Sequence, residues 1–229
     1  MFADRCTNTN TNTNSKVATT EDALEQALSA VAKRYGAALH PIDPRDITVR
    51  AWVRWKCRFG CKNFGKHFCC PPYVPSPAET RVLLGEYRRA YLIHFRGVLE
   101  MERVSPGNVP SEWSKYRARF VIRIHDAVYE LEQCVFYQGF YKAFAFAAYP
   151  CSYCNECIVS QSAGVVDLSL KRACRHMEKV RPSMEAVGID VFSTVRKLNL
   201  PIEVIPCEDN VHGRIMHTHL NSYGLLLIE

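Results

Sequence analysis

The sequence lacks any run approaching the roughly 18 apolar residues that a membrane-spanning helix needs. Its opening residues, Met1-Phe2-Ala3-Asp4-Arg5-Cys6, lack the apolar stretch of a secretory leader. The expected location is therefore the cytosol, with no membrane partner. No phosphate loop, dinucleotide fingerprint, serine nucleophile elbow or HExxH helix occurs, which argues against a nucleotide-driven enzyme. Lys and Arg outnumber Asp and Glu by 29 to 23, a net charge of +6, but they are dispersed rather than massed into an arm for nucleic acid. Apart from a Thr-Asn tract at 7–14 there is no internal repeat.

What the chain does have is cysteine. Eleven thiols are many for a reducing compartment, and disulfide scaffolds are usually short and secreted. With 229 residues, 48% of them hydrophobic, the chain can bury a core without disulfide staples. Metal binding is the leading explanation for the thiols before any motif is read.

Residues 1–18 read as a disordered polar tail and 19–229 as a single metal-binding domain. Thr19 can cap a helix bearing Leu24, Leu28, Val31 and Tyr35, which Gly36 ends. Residues 47–55 alternate as a strand. Ser76-Pro77-Ala78-Glu79 is a capping box opening a helix with Leu83, Leu84 and Tyr87 on its buried side. Residues 90–95 form a strand and 104–110 a loop. A long helix over 111–137 has Trp113, Tyr116, Phe120, Ile124, Ala127, Leu131 and Val135 on its core face. Further strands are expected at 142–148, 201–205 and 222–228. A short helix spans 181–187, and Asp190 caps another carrying Val191, Val195 and Leu198. The expected class is α+β: a mixed sheet flanked by helices, with two cysteine-rich metal-binding loops at strand ends.

Cys151, Cys154 and Cys157 follow the pattern C-x2-C-x2-C. Three thiols in one tight loop suit a 4Fe–4S cubane, in which each iron takes its own thiolate. Structural zinc, the alternative, more often takes two C-x2-C knuckles from separate loops. Cys174 is the natural fourth ligand, and the Arg175-His176 pair after it could offset the charge of an anionic cluster; His176 itself reads as a hydrogen-bond donor behind the ligands or a surface residue. Cys134 and Cys207 read as core thiols.

The other group is less regular: Cys57-x3-Cys61, then Cys69-Cys70-Pro71-Pro72. Lys56, Arg58, Lys62 and Lys66 surround these thiols with positive charge, which favours thiolates. Adjacent cysteines rarely ligate one metal together, so Cys70, beside the prolines, is preferred over Cys69. Three thiolates without a fourth would leave a metal position open to substrate. His67 reads as a solvated loop residue. His212, His217 and His219 have no carboxylate at matching spacing and are weak candidates.

These residues carry a resemblance. Lys56-Cys57-x2-Gly60-Cys61, Gly65-Lys66 and Cys70-Pro71-Pro72-Tyr73-x-Pro75-Ser76 resemble an uncharacterised family of prokaryotic predicted metal-binding proteins. So do Gly139-Phe140-Tyr141-Lys142-Ala143-Phe144, the C-x2-C-x2-C loop, Cys174-Arg175-His176, and the stretch from Arg181-Pro182-Ser183-Met184 to Gly188-Ile189-Asp190-Val191. The likeness covers about residues 40–229. It implies two groups, Cys57, Cys61 and Cys70 in one and Cys151, Cys154, Cys157 and Cys174 in the other. Cys69 is an extra thiol beside the usual one, and Met177 stands where a proline is expected.

The expected function is that of a cytosolic iron–sulfur protein. A 4Fe–4S cluster would sit on the second group and a further cluster or metal on the first, with electrons passing to a partner enzyme. The positive charge suits docking on an acidic redox partner. The alternatives are an iron–sulfur enzyme whose open site takes a small molecule for sulfur or group transfer, and a structural zinc interaction module; disulfide pairing ranks last. The oligomeric state stays open.

Overall fold

The computed structural model describes residues 20–98, 109–161, 166–204 and 219–229. The expected tail, Thr19, most of the 104–110 loop, Cys207, His212 and His217 lie outside these residues, as do the side chains of Trp113 and His219.

Four strands form the sheet: β1 (Ala37–Ile42), β2 (Arg89–Val98), β3 (Ala143–Phe146) and β4 (His219–Ile228), in the order β1-β2-β4-β3. The α+β class stands, but each of the three pairings is antiparallel, where a mixed sheet was expected. The reason is topological. β2 and β3 are joined by the long helix α4 (Val109–Tyr137), a crossover that in isolation suggests a parallel pair, and β4 slots between them with the opposite sense.

Both faces of the sheet are covered, so strand residues are buried on either side and Leu225 to Ile228 form an unbroken apolar run. On one face Ile93, Phe95, Ala145, Leu226 and Ile228 pack against α1 (Thr20–Arg34) and α4. Leu24, Leu28 and Val31 come from α1, and Phe120, Ile124, Ala127, Leu131 and Val135 from α4, at the helical spacing the sequence shows. Tyr116 is partly buried against the same cluster. Gly224 is a point of close approach: a Cβ there would lie 2.8 Å from the Phe146 carbonyl of the neighbouring strand and 3.3 Å from Val128 of α4. On the other face Leu92, Phe146, Leu225 and Leu227 meet Met184, Val187, Ile189, Val191 and Val195.

The connections hold most of the surprises. Residues 51–60 are not a strand but a helix, α2 (Ala51–Gly60); the extended backbone, which bridges Val49 to Ile189, ends with Arg50. Ile47 and Val49 are buried as a strand would bury them, whereas Val53 is the buried residue of α2 and Trp55 and Phe59 face solvent. Tertiary bonds override the short alternation: Arg54 donates to the Pro75 and Ala186 carbonyls, each at 2.7 Å.

The capping box forms as expected and opens α3 (Pro77–Leu84); Ser76 accepts from the Glu79 amide and Glu79 from the Ser76 amide. The expected 181–187 helix shrinks to a 3-10 turn over Glu185–Val187. The Pro182 carbonyl accepts the Ala147 amide and the Met184 amide donates to the Ala147 carbonyl, so this segment runs as a short strand-like bridge instead. Gly188, at φ 90°, stops the turn, and Asp190 caps α5 (Val191–Arg196). Residues 201–204 are not a strand; Pro201 has no amide to donate, and its carbonyl accepts the Tyr223 hydroxyl. Among the described residues no helix is long and apolar enough to cross a membrane.

Candidate metal centre

The second cysteine group is assembled from two stretches of chain. Beyond β3, Tyr149 takes a left-handed φ of 64° and its hydroxyl bonds Ser222 at 2.9 Å, turning the chain away from the sheet at Pro150. Cys151, Cys154 and Cys157 follow in an irregular loop. Cys174 arrives at the end of a 3-10 turn over Leu168–Ala173, which Asp167 caps.

Tyr153, between the first two cysteines, ties these pieces together. Its hydroxyl donates to Asp126 of α4 at 2.7 Å, and Lys179 meets the same carboxylate at 3.1 Å. The ring of His176 stacks on Tyr153 with centroids 4.7 Å apart, holding the Cys174 segment against the cysteine loop. A second clamp sits just beyond: Arg181 pairs through two nitrogens with Glu132 of α4, which also accepts the Ala145 amide. These side chains are about one-sixth exposed, so the pair is largely withdrawn from water.

Cys151, Cys154, Cys157 and Cys174 line one cavity of about 150 Å3, with Arg175 and His176 beside them. The first cysteine loop supplies part of the same wall through His67 and Phe68. His67 is half-buried there rather than solvated, and burial, helped by Lys66, lowers its pKa. Burial, joined by the Cys69, Cys157 and Cys174 thiols, pushes the Cys151 thiol up to about 12, against a hydrogen bond from the Tyr153 backbone.

The first group is split. Cys57 lies in the last turns of α2 and Cys61 is its C-cap, so these thiols stand at a helix end and not in a loop after a strand. They line a wide, mostly apolar groove of about 660 Å3, with Trp52, Trp55, Phe59 and Phe192 among its walls. Trp55 and Phe59 stack at 5.6 Å and are 65% and 72% exposed. The surrounding lysines do not set the Cys57 thiol: burial and the neighbouring Cys61 raise it, and Arg54 is the cation that opposes them.

Cys69 and Cys70 lie deeper, 1% and 8% exposed. Their loop is closed by the Gly65 amide, which donates to the Pro71 carbonyl at 2.8 Å; Gly65 itself sits at φ 73°. Cys70 hydrogen-bonds Cys69, which holds the Cys69 thiol down and the Cys70 thiol up, and Cys61 and Cys57 also act on Cys70. The Sγ of Cys69 accepts the amide of Cys151 at 3.1 Å, so the two groups touch. Sequence reading passed over Cys69 in favour of its neighbour; a contact across 82 residues leaves no local signal. Cys134 is a core thiol on α4, as expected.

The sequence model of one family, described as predicted metal-binding protein (DUF2284), matches residues 40–228. The chain belongs to this family. Its match spans both cysteine groups and every strand except part of β1. No curated protein and no solved structure matches the chain. For a member of a metal-binding family the donor set is apt: thiols around a partly enclosed cavity suit a soft, thiophilic metal. None of the nine described cysteines is in a disulfide. Among the described residues no three His, Cys, Asp or Glu side chains gather tightly enough to hold a single metal ion. The thiols stand around a space rather than on a point.

Proposed function

We propose that this member of the metal-binding family is an iron–sulfur redox protein, with a 4Fe–4S cluster on Cys151, Cys154, Cys157 and Cys174. The observation that carries the reading is that four cysteines from two segments line one cavity. A cubane takes one thiolate at each of four irons and so asks for ligands spread around its own bulk. A zinc ion draws its sulfurs to about 2.3 Å from one point. Such a cluster supplies one-electron chemistry. The chain's residues supply the rest: Tyr153 and His176 fix the ligand segments, and Arg175 offsets negative charge at the rim. The net charge of +6 favours an acidic protein partner, and the free thiols suit a reducing cytosol.

The test is iron and acid-labile sulfide analysis with low-temperature EPR on oxygen-free protein, comparing wild type, Cys57→Ser and Cys154→Ser. Iron and sulfide in equal amounts, with a reduced-state signal lost in the Cys154 variant, is the expected result. Zinc in place of iron, with sulfide near zero, would overturn it and leave a structural zinc module. If Cys57→Ser removes a separate signal, the first group holds its own metal.

A second reading has its own support. The aromatic groove over Cys57 and Cys61 is wide enough for a small organic molecule, and an incompletely ligated metal there would be open to it. A spectrum that changes when a thiol or carboxylate compound is added, in wild type but not in Cys57→Ser, would favour an enzyme of sulfur or group transfer.

A further inference from the structure

We propose that Cys69 is a positioning residue of the second centre, its sulfur holding the backbone of Cys151 and so joining the two cysteine groups into one mechanical unit. The inference rests on the iron–sulfur reading for its effect on the centre, but the contact itself belongs to the protein alone.

Three observations support it. Cys69 is as fully buried as the core thiol Cys134, yet it belongs to neither apolar cluster of the fold, so it is not packing filler. Its Sγ accepts the Cys151 amide at 3.1 Å, within the reach of a hydrogen bond to sulfur. Cys69 also shares a cavity wall with Cys174, and its neighbours His67 and Phe68 line the cavity of the whole second group. The first loop is thus seated against the second group along three successive residues. On its other side Cys69 meets Cys70, on which the Cys57 and Cys61 thiols act. Cys69 is therefore the contact between the buried end of the first cysteine loop and the second group.

The direction of its effect follows from where the N–H points. In the structure the Cys151 amide is committed to Cys69. Without that acceptor the amide is free to donate to sulfur at the centre. Hydrogen bonds to cluster sulfurs favour the more negative, reduced state and raise the potential.

The experiment has two arms. Amide hydrogen exchange, read by mass spectrometry with fragmentation on oxygen-free protein as purified, compares wild type, Cys69→Ala, Cys69→Ser and Cys70→Ala. The Cys151 amide should exchange at least about tenfold faster in Cys69→Ala, recover in Cys69→Ser, which retains an acceptor, and change little in Cys70→Ala. Redox titration of the Cys154-dependent EPR signal should give a higher midpoint in Cys69→Ala and a partial return in Cys69→Ser. Unchanged exchange at Cys151 in Cys69→Ala overturns the proposal, as does an equal effect from Cys70→Ala, which would mean mere loosening of the loop. If Cys69→Ala does not fold, wild type still decides: an unprotected Cys151 amide in wild type overturns it. Wild type without iron or sulfide would remove the cluster reading and leave the exchange arm to judge the contact.

Discussion

The second cysteine group is anchored on α4 through Asp126 and Glu132, whereas Cys57 and Cys61 ride on a helix that buries a single side chain, Val53. One group has half-buried polar clamps and a partly enclosed cavity; the other has a wide groove walled by exposed aromatic rings. A rigid seat suits a centre that must keep its geometry while its charge changes. An open, aromatic-lined end suits an encounter with another molecule. The contrast between a held site and a receiving site can be broken at four places.

The largest effect is expected at Glu132. Glu132→Ala would leave Arg181 with its charge largely buried and unmatched and the Ala145 amide without its carboxylate, costing about 3–5 kcal/mol in urea unfolding. A loss below about 1 kcal/mol would show that the clamp does not secure the second group.

Acid should loosen the same side. His125 on α4 is fully buried, its ring edge-on to Tyr153, and burial lowers its pKa from 6.5 to about 4. The unfolded chain takes up a proton near pH 6.5 while the folded ring stays neutral, so this stability is present above 6.5 and is lost as pH falls toward 4. The loss is about 3 kcal/mol. Urea unfolding at pH 7 and pH 5 should show part of this slope in wild type and a flatter one in His125→Leu; equal slopes would remove His125 as the cause.

Much of the fold behind these predictions was legible beforehand. Periodicity marked the buried face of α4 because a single helix face meets one core, and the Ser76–Glu79 box was readable because its reciprocal bonds span three residues. Among the site residues, the spacing of Cys151, Cys154 and Cys157 pointed to a common centre, and the structure places them with Cys174 around one cavity. What escaped reading is non-local. The insertion of β4 between β2 and β3, the helix at 51–60 fixed by the reach of Arg54 to Ala186, and the seat of Cys69 on Cys151 all depend on chain segments far apart in sequence.

Two smaller effects refine the contrast. Tyr153→Phe removes a hydrogen bond to the Asp126 carboxylate and should cost about 2 kcal/mol, with a broader EPR signal from the proposed cluster as the His176 stack loosens. Trp55→Ala, at the exposed groove, should change stability by less than about 0.5 kcal/mol. If the groove receives a partner or ligand, that variant should lower its affinity while metal content stays at the wild-type level. A Trp55 variant that unfolds would show the groove to be part of the scaffold.

The bare backbone at Gly224 has a reach beyond its own strand. α4 comes to rest on the sheet there, and the same helix carries both carboxylates that grip the second group. One carbon added at 224 would crowd the Phe146 carbonyl of β3 first and then press on Val128 of α4, the beam on which Asp126 and Glu132 are mounted. A change in the middle of the sheet would then bear on the seat of thiols that it never touches.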